Sequence, residues 1–197
     1  MNHRYHALRL CNLSGTSAVH GVEPSLNLDV TDSATRLLND FRNRKPAVLL
    51  AQLSVPEARQ RMNLSDTAIK LVVNAAGDYV GVITVGALNS EQPLGLASRR
   101  GVKAKDILVQ DIMIPITHLP AIHYRDLLEA SVGELVSTFN DTHKPCLLVM
   151  DEDQDQDVAL RGMILAADLA AGLRISLDMQ PRADSFSAIV NAVQGRY

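Results

Sequence analysis

Ser54-Val55-Pro56-Glu57-Ala58-Arg59-Gln60-Arg61-Met62-Asn63 and Ser131-Val132-Gly133-Glu134-Leu135-Val136-Ser137-Thr138-Phe139-Asn140 lie 77 residues apart and share one plan. Each opens as S-x-x-E, in which the serine hydroxyl accepts from an early helix amide and the glutamate reaches back to the serine amide. Pro56 suits a first helical turn, where its missing N–H costs nothing. Behind each cap the apolar residues fall on one helical face. Val132, Leu135, Val136 and Phe139 occupy i, i+3, i+4 and i+7, and Val55, Ala58 and Met62 keep that stripe in the first copy. Two helices starting from the same chemical signal predict an internal duplication.

The residues that follow extend it. Leu71-Val72-Val73-Asn74 matches Leu148-Val149-Met150-Asp151 at the same offset of 77. The next strands, Val80-Gly81-Val82-Ile83 and Arg161-Gly162-Met163-Ile164, match at 81. The four extra residues therefore fall in the intervening turn, Ala75-Ala76-Gly77-Asp78 in one copy and the acidic stretch Asp153 to Asp157 in the other. Turns are where a duplicated fold tolerates insertion. Both copies then enter a short alanine-rich helix, through Ala87-Leu88 and Asp168-Leu169. Each unit reads as helix, strand, strand, helix, with a leading strand expected at Ala47 to Gln52 and around Met113 to Thr117. Units of roughly 60 residues are marginal alone, so the two are expected to pack together.

This order, with Val109-Gln110-Asp111-Ile112-Met113 leading through Leu147 to Leu173, resembles a CBS (cystathionine-β-synthase) domain; the stretch Pro46 to Leu88 resembles a first copy. The resemblance implies an α/β fold of tandem CBS domains, β-α-β-β-α repeats related by a pseudo-two-fold axis, with flanking N- and C-terminal helices. The expected division is an N-terminal segment (1–45), a first domain (46–90), a connector (91–108), a second domain (109–175) and a tail (176–197). Such a pair, a Bateman module, commonly forms a disc-shaped homodimer. Clefts between paired domains of relatives bind adenine nucleotides or other adenosyl compounds.

The resemblance also implies site residues. The ribose signature of the family is S/T-x-x-N/D just after the Gly-containing strand. Copy one reads Thr84-Val85-Gly86-Ala87, keeping the hydroxyl without the acid; copy two reads Leu165-Ala166-Ala167-Asp168, keeping the acid without the hydroxyl. Asp168 marks the better cleft. Thr84, Met113, Ile114, Val149 and Leu165 are the further ligand-binding candidates. Basic residues that many relatives carry before the strand ending at Asp151 are replaced by Pro145 and Cys146, with His143 and Lys144 just upstream. Charge from Arg99, Arg100, Lys103 and Lys105 in the connector is the remaining source.

Composition excludes other classes. With 47% hydrophobic and 21% charged residues the chain can build a core. A net charge of −3 offers no basic footprint for nucleic acid. No apolar run approaches a membrane span and the N-terminus lacks a signal-peptide segment, so the expected address is the cytoplasm. Cys11 and Cys146 are too few for a disulfide framework, and Cys146 reads as core. Asp153-Gln154-Asp155-Gln156-Asp157 has Val158 where a calcium loop needs glycine and Ile164 where it needs an acid. His118, His123 and His143 form no metal-binding pattern. Nucleophile elbows and phosphate-binding glycine loops are missing, and no catalytic residue, metal or cofactor is expected.

Outside the repeats, Asp32 to Asn43 is expected as a helix capped by Thr31 or Asp32, with Ala34, Leu37, Leu38 and Phe41 inward. Asp184 or Ser185 caps a second, carrying Phe186, Ile189, Val190 and Val193, expected to dock on its own module or on a dimer mate. The functional expectation is a regulatory module that takes AMP, ADP, ATP or S-adenosylmethionine in an inter-domain cleft, forms a homodimer and signals to a protein effector. The alternative is a ligand-free dimerisation or scaffold protein on the same fold.

Overall fold

The computed structural model describes residues 27–64, 67–152, 158–175 and 177. The expected tail helix, the turn Asp153 to Asp157 and residues 1–26 lie outside them. In chain order the elements are β1 (Asn39–Asp40), β2 (Val48–Leu50), α1 (Val55–Asn63), β3 (Ile69–Val73), β4 (Tyr79–Thr84), α2 (Val85–Asn89), α3 (Gln92–Arg100), α4 (Val109–Ile112) and β5 (Ile114–Pro115). The second half follows with β6 (Ala121–His123), α5 (Tyr124–Glu129), α6 (Val132–Thr142), β7 (Cys146–Glu152), β8 (Val158–Leu165) and α7 (Ala166–Leu173).

Both capping boxes form. Ser131 Oγ accepts from the Glu134 amide at 3.3 Å while the Ser131 amide donates to Glu134 at 2.7 Å; the Ser54–Glu57 pair repeats this at 3.5 and 3.1 Å. The stripes point inward as expected: Val55, Ala58 and Met62 are buried under α1, and Val132, Leu135 and Phe139 under α6. In the first β-turn Asn74 Oδ1 accepts from the amides of Ala76 and Asp78, and Gly77 takes φ +91°, where a side chain would be strained.

Two four-stranded sheets result, ordered β2-β3-β4-β5 and β6-β7-β8-β1. In each, a parallel pair (β2·β3, β6·β7) is followed by an antiparallel hairpin (β3·β4, β7·β8) and a short antiparallel edge strand. Even the bulges correspond, between Val72 and Val73 and between Val149 and Met150, at the offset of 77.

Strand alternation gives each sheet two apolar faces. One packs under the unit's own helices: Leu49, Val72 and Ile83 with α1 in the first unit, Leu147, Val149 and Ile164 with α6 in the second. The opposite faces meet each other through Ile69, Leu71 and Val82 against Cys146, Leu148 and Met163. These trios are again 77, 77 and 81 apart, so a pseudo-two-fold runs through the inter-sheet core. Cys146 is fully buried there, which pushes its thiol up to about 12.

Three expectations change. The stretch Asp32 to Asn43 is not one helix: a single 3-10 turn, Ala34–Leu37, is capped by Ser33, and the chain then extends into β1. Asn39 and Asp40 are poor helix formers, and extension lets them satisfy the open edge of β8. Second, the strand expected around Met113 to Thr117 as the lead of copy two is β5, and it pairs with β4 of copy one; copy two starts its sheet with β6. Third, the division at residue 109 does not follow the cores. Val109 and Ile112 are buried with the first unit, whereas Ala34 and Leu37 are buried with the second. Each unit is completed by the segment that precedes the other unit's own strands. Helix α3 in the connector also joins the first core through Ala97. No described helix is long and apolar enough to cross a membrane.

Candidate functional site

The exchanged strand β1 builds a wall between the units. Its register on β8, Asn39 opposite Met163 and Asp40 opposite Gly162, requires that position 162 lack a side chain. A Cβ there would stand 2.5 Å from the Asn39 carbonyl oxygen. On one side of this wall is an open groove of about 560 Å³, with Leu37, Leu38, Ala171 and Gly172 as apolar lining and Arg36, Asp40, Arg44 and Asp168 as charges. Adjoining it lies a second groove of about 380 Å³, between Pro46 and Ala47 of the first unit and Met163 and Leu165 of the second, carrying Arg44 and Lys45. Asn39 and Arg44 line both, so the two are adjoining halves of one cleft.

Asp168 sits in the first turn of α7, where the helix N-terminus favours a negative charge. Asn39 Nδ2 donates to its Oδ2 at 3.4 Å, leaving most of the carboxylate's acceptor capacity facing the groove. Two neighbouring charges are already satisfied: Arg36 pairs with Asp32, and Asp40 pairs with Arg161 at 2.9 Å. Burial pushes the Asp40 carboxyl up, but the Arg42 amide and the Arg161 guanidinium outweigh it and hold it below the ordinary range. Arg44 and Lys45 have no ion-pair partner among the described residues.

The structure brings together two of the sequence candidates, Asp168 and Leu165, on the adjoining halves of this cleft. Met113, Ile114 and Thr84 sit at the pseudo-symmetric place in the first unit instead. Met113 packs on the first unit's helical core and Ile114 on the inter-sheet core, paired with Val82. Thr84 caps α2, its hydroxyl accepting from the Ala87 amide at 3.0 Å. Val149 is fully buried beneath α6, on the face of β7 turned away from the inter-unit side, and cannot line a cleft. The connector cations also lie elsewhere, with Arg100 donating to Asp111 at 2.8 Å. Sequence reasoning missed Asn39, Arg44 and Lys45. The signal was an Asn-Asp pair inside a supposed helix, 75 residues before Ile114-Pro115.

Among the described residues no group of three or more His, Cys, Asp and Glu could hold a metal. A duplicated β-α-β-β-α unit, two sheets packed about a pseudo-two-fold and an edge strand exchanged between them define the class: the chain has the fold of a tandem CBS-domain pair.

Comparison with solved structures finds similar chains. An uncharacterized conserved protein of Pyrococcus horikoshii matches with a TM-score of 0.50 and 19% identity, over 77% of this chain and 98% of that one. The CBS-pair protein CBSX2 of Arabidopsis thaliana matches at 0.46 and 16%, over 71% and 92%. GMP reductase of Trypanosoma brucei matches at 0.48 and 16%, over 72% of this chain and 27% of the enzyme. At 19% identity the likeness to the Pyrococcus protein is one of fold alone. No protein-family profile and no curated protein matches the chain.

Proposed function

We propose that this chain is a regulatory module that binds an adenine nucleotide or related adenosyl compound in the cleft at Asp168. The observation that carries the reading is the placement of an accepting carboxylate beside an apolar pocket in one half of the cleft, with Lys45 uncompensated in the other half and Arg44 uncompensated where the two meet. A vicinal diol donates two hydrogen bonds, and a carboxylate accepts both. Phosphate is repelled by Asp168, which lines only the 560 Å³ half, and attracted by Lys45, which lines only the 380 Å³ half, and by Arg44, which lines both, so it belongs in the 380 Å³ half. The base then falls against Leu37, Leu38 and Ala171 in the 560 Å³ half. The equivalent place in the first unit has Ala87 for Asp168, Ile114 for Asn39 and Leu119 for Arg44. One ligand per chain follows.

The reading extends to a cytoplasmic homodimer that passes its state to a protein effector without catalysing a reaction. Any shift in state is limited by the ligand's differential affinity for the two forms.

Thermal-shift measurements with AMP, ADP, ATP, S-adenosylmethionine and adenosine, on wild type and Asp168→Ala, test the reading. A ligand that binds only the folded state adds about 2.7 kcal/mol at a hundredfold excess over Kd. A shift with at least one compound, lost in Asp168→Ala, is expected. Silence across the series at millimolar concentration would leave the scaffold function as the better account.

A further inference from the structure

Arg161 is 14% exposed and held by groups from three directions. Its guanidinium donates to Asp151 at 2.8 Å and to Asp40 at 2.9 Å, and stacks 3.6 Å over the Tyr124 ring. It does not line the ligand cleft. It faces a separate depression with Phe41, Arg42 and Asp151. Asp40 stands between the two, bonded to Arg161 on one side and lining the 560 Å³ groove on the other.

We propose that Arg161 is a positioning residue that sets which ligands the cleft accepts, by keeping the Asp40 carboxylate neutralised so that a phosphate-bearing ligand is admitted. The inference rests on the proposed function of the cleft. With Arg161 in place, the charges left to act on a ligand are Asp168, Arg44 and Lys45, an excess of one positive. Without it, Asp151 keeps Arg42 at 3.1 Å, but Asp40 loses its only side-chain partner among the described residues. The Asp40 carboxylate, left with the Arg42 amide at 2.9 Å and no side-chain hydrogen bond, then faces the groove and cancels the excess. A neutral nucleoside is indifferent to this change, whereas a nucleotide is not. Arg161 thus acts through Asp40, and the second unit's counterpart position in the first, Val80, has no such role to play.

The test is calorimetric titration of AMP and of adenosine into the full chain. For Arg161→Met the AMP Kd is expected to rise about tenfold, with adenosine nearly unchanged; tenfold corresponds to about 1.4 kcal/mol. Adding Asp40→Asn to that variant is expected to restore AMP binding. Parallel weakening of both ligands, or failure of the double variant to recover, would overturn the inference and leave Arg161 a structural residue. Should Arg161→Met alone not fold, Asp40→Asn is compared with Asp40→Asn/Arg161→Met. Equal preference for AMP over adenosine supports the inference, and a further loss on removing Arg161 overturns it. If wild type binds neither compound, the reading of the cleft has failed, and this inference with it.

Discussion

The two units share the parallel strand pair, the capped helix and the hairpin, yet their exchanged edge strands are held differently. β5 lies on β4 through backbone pairing and apolar contact, with Pro115 opposite Gly81. Its proline is tolerated because the strand is an edge. β1 lies on β8 through the same pairing, extended by the Phe41 amide donating to the Arg161 carbonyl at 2.8 Å, and is also pinned by the Arg161 side chain to Asp40. Both glycines are needed for the approach: a Cβ would stand 2.3 Å from the Ile114 oxygen at Gly81 and 2.5 Å from the Asn39 oxygen at Gly162. Duplication supplied the frame twice, and charged side chains on one edge strand turned one of two similar clefts into a candidate site.

The largest test of that shared frame is in the helical cores. Phe139 and Met62 occupy matching positions, fully or almost fully buried. Phe139→Ala is expected to cost about 3–5 kcal/mol and Met62→Ala about 2–5 kcal/mol, as buried large-to-small changes do. Because the inter-sheet core joins the units, both should lower one common urea transition. Two separate transitions, each moved by one variant, would break the view that the units fold together.

A smaller effect sharpens the difference. Gly81→Ala and Gly162→Ala each force a methyl group against backbone, at an expected cost of about 1–3 kcal/mol. Only Gly162→Ala disturbs the strand that carries Asn39, so it alone should abolish AMP binding, while Gly81→Ala leaves AMP affinity unchanged. Equal loss in both variants would show that the cleft depends on the whole frame rather than on β1.

What was legible in the sequence was local chemistry repeated at a fixed distance. The S-x-x-E caps, the apolar stripes and the Gly-containing strands each signal their structure within a few residues, and the offsets of 77 and 81 joined them. The exchange of edge strands was not legible, because nothing in Ile114-Pro115 or Asn39-Asp40 says which sheet edge is open. A two-residue strand has no periodicity, and Ala34, Leu37, Leu38 and Phe41 fit a helical stripe by coincidence. The cleft suffered for the same reason. Asp168 was found from its place in a repeated unit, whereas Asn39, which bonds it, arrives from 129 residues away, with Arg44 and Lys45 on the same segment. Val149 was misplaced because one step along a strand moves a side chain from the inter-unit face to the helical core.

The smallest differences are expected where the units are chemically identical. Ser54→Ala and Ser131→Ala each remove an N-cap and should cost about 1 kcal/mol, alike in both. The paired glutamates add a pH dependence. Glu57 is held below the ordinary carboxylate range by the Ser54 hydroxyl and then its amide, and Glu134 by the Ser131 amide and then its hydroxyl. A carboxylate whose folded value is depressed contributes stability that is complete above the unfolded value of about 4.3, and lost as pH falls through the folded one. Glu57→Gln and Glu134→Gln should therefore each flatten the acid limb of a stability-against-pH curve measured by urea unfolding, and by similar amounts. A flattening confined to one variant would mean that the two boxes, alike in geometry, no longer contribute alike. The asymmetry of the molecule would then reach beyond the cleft into the frame itself.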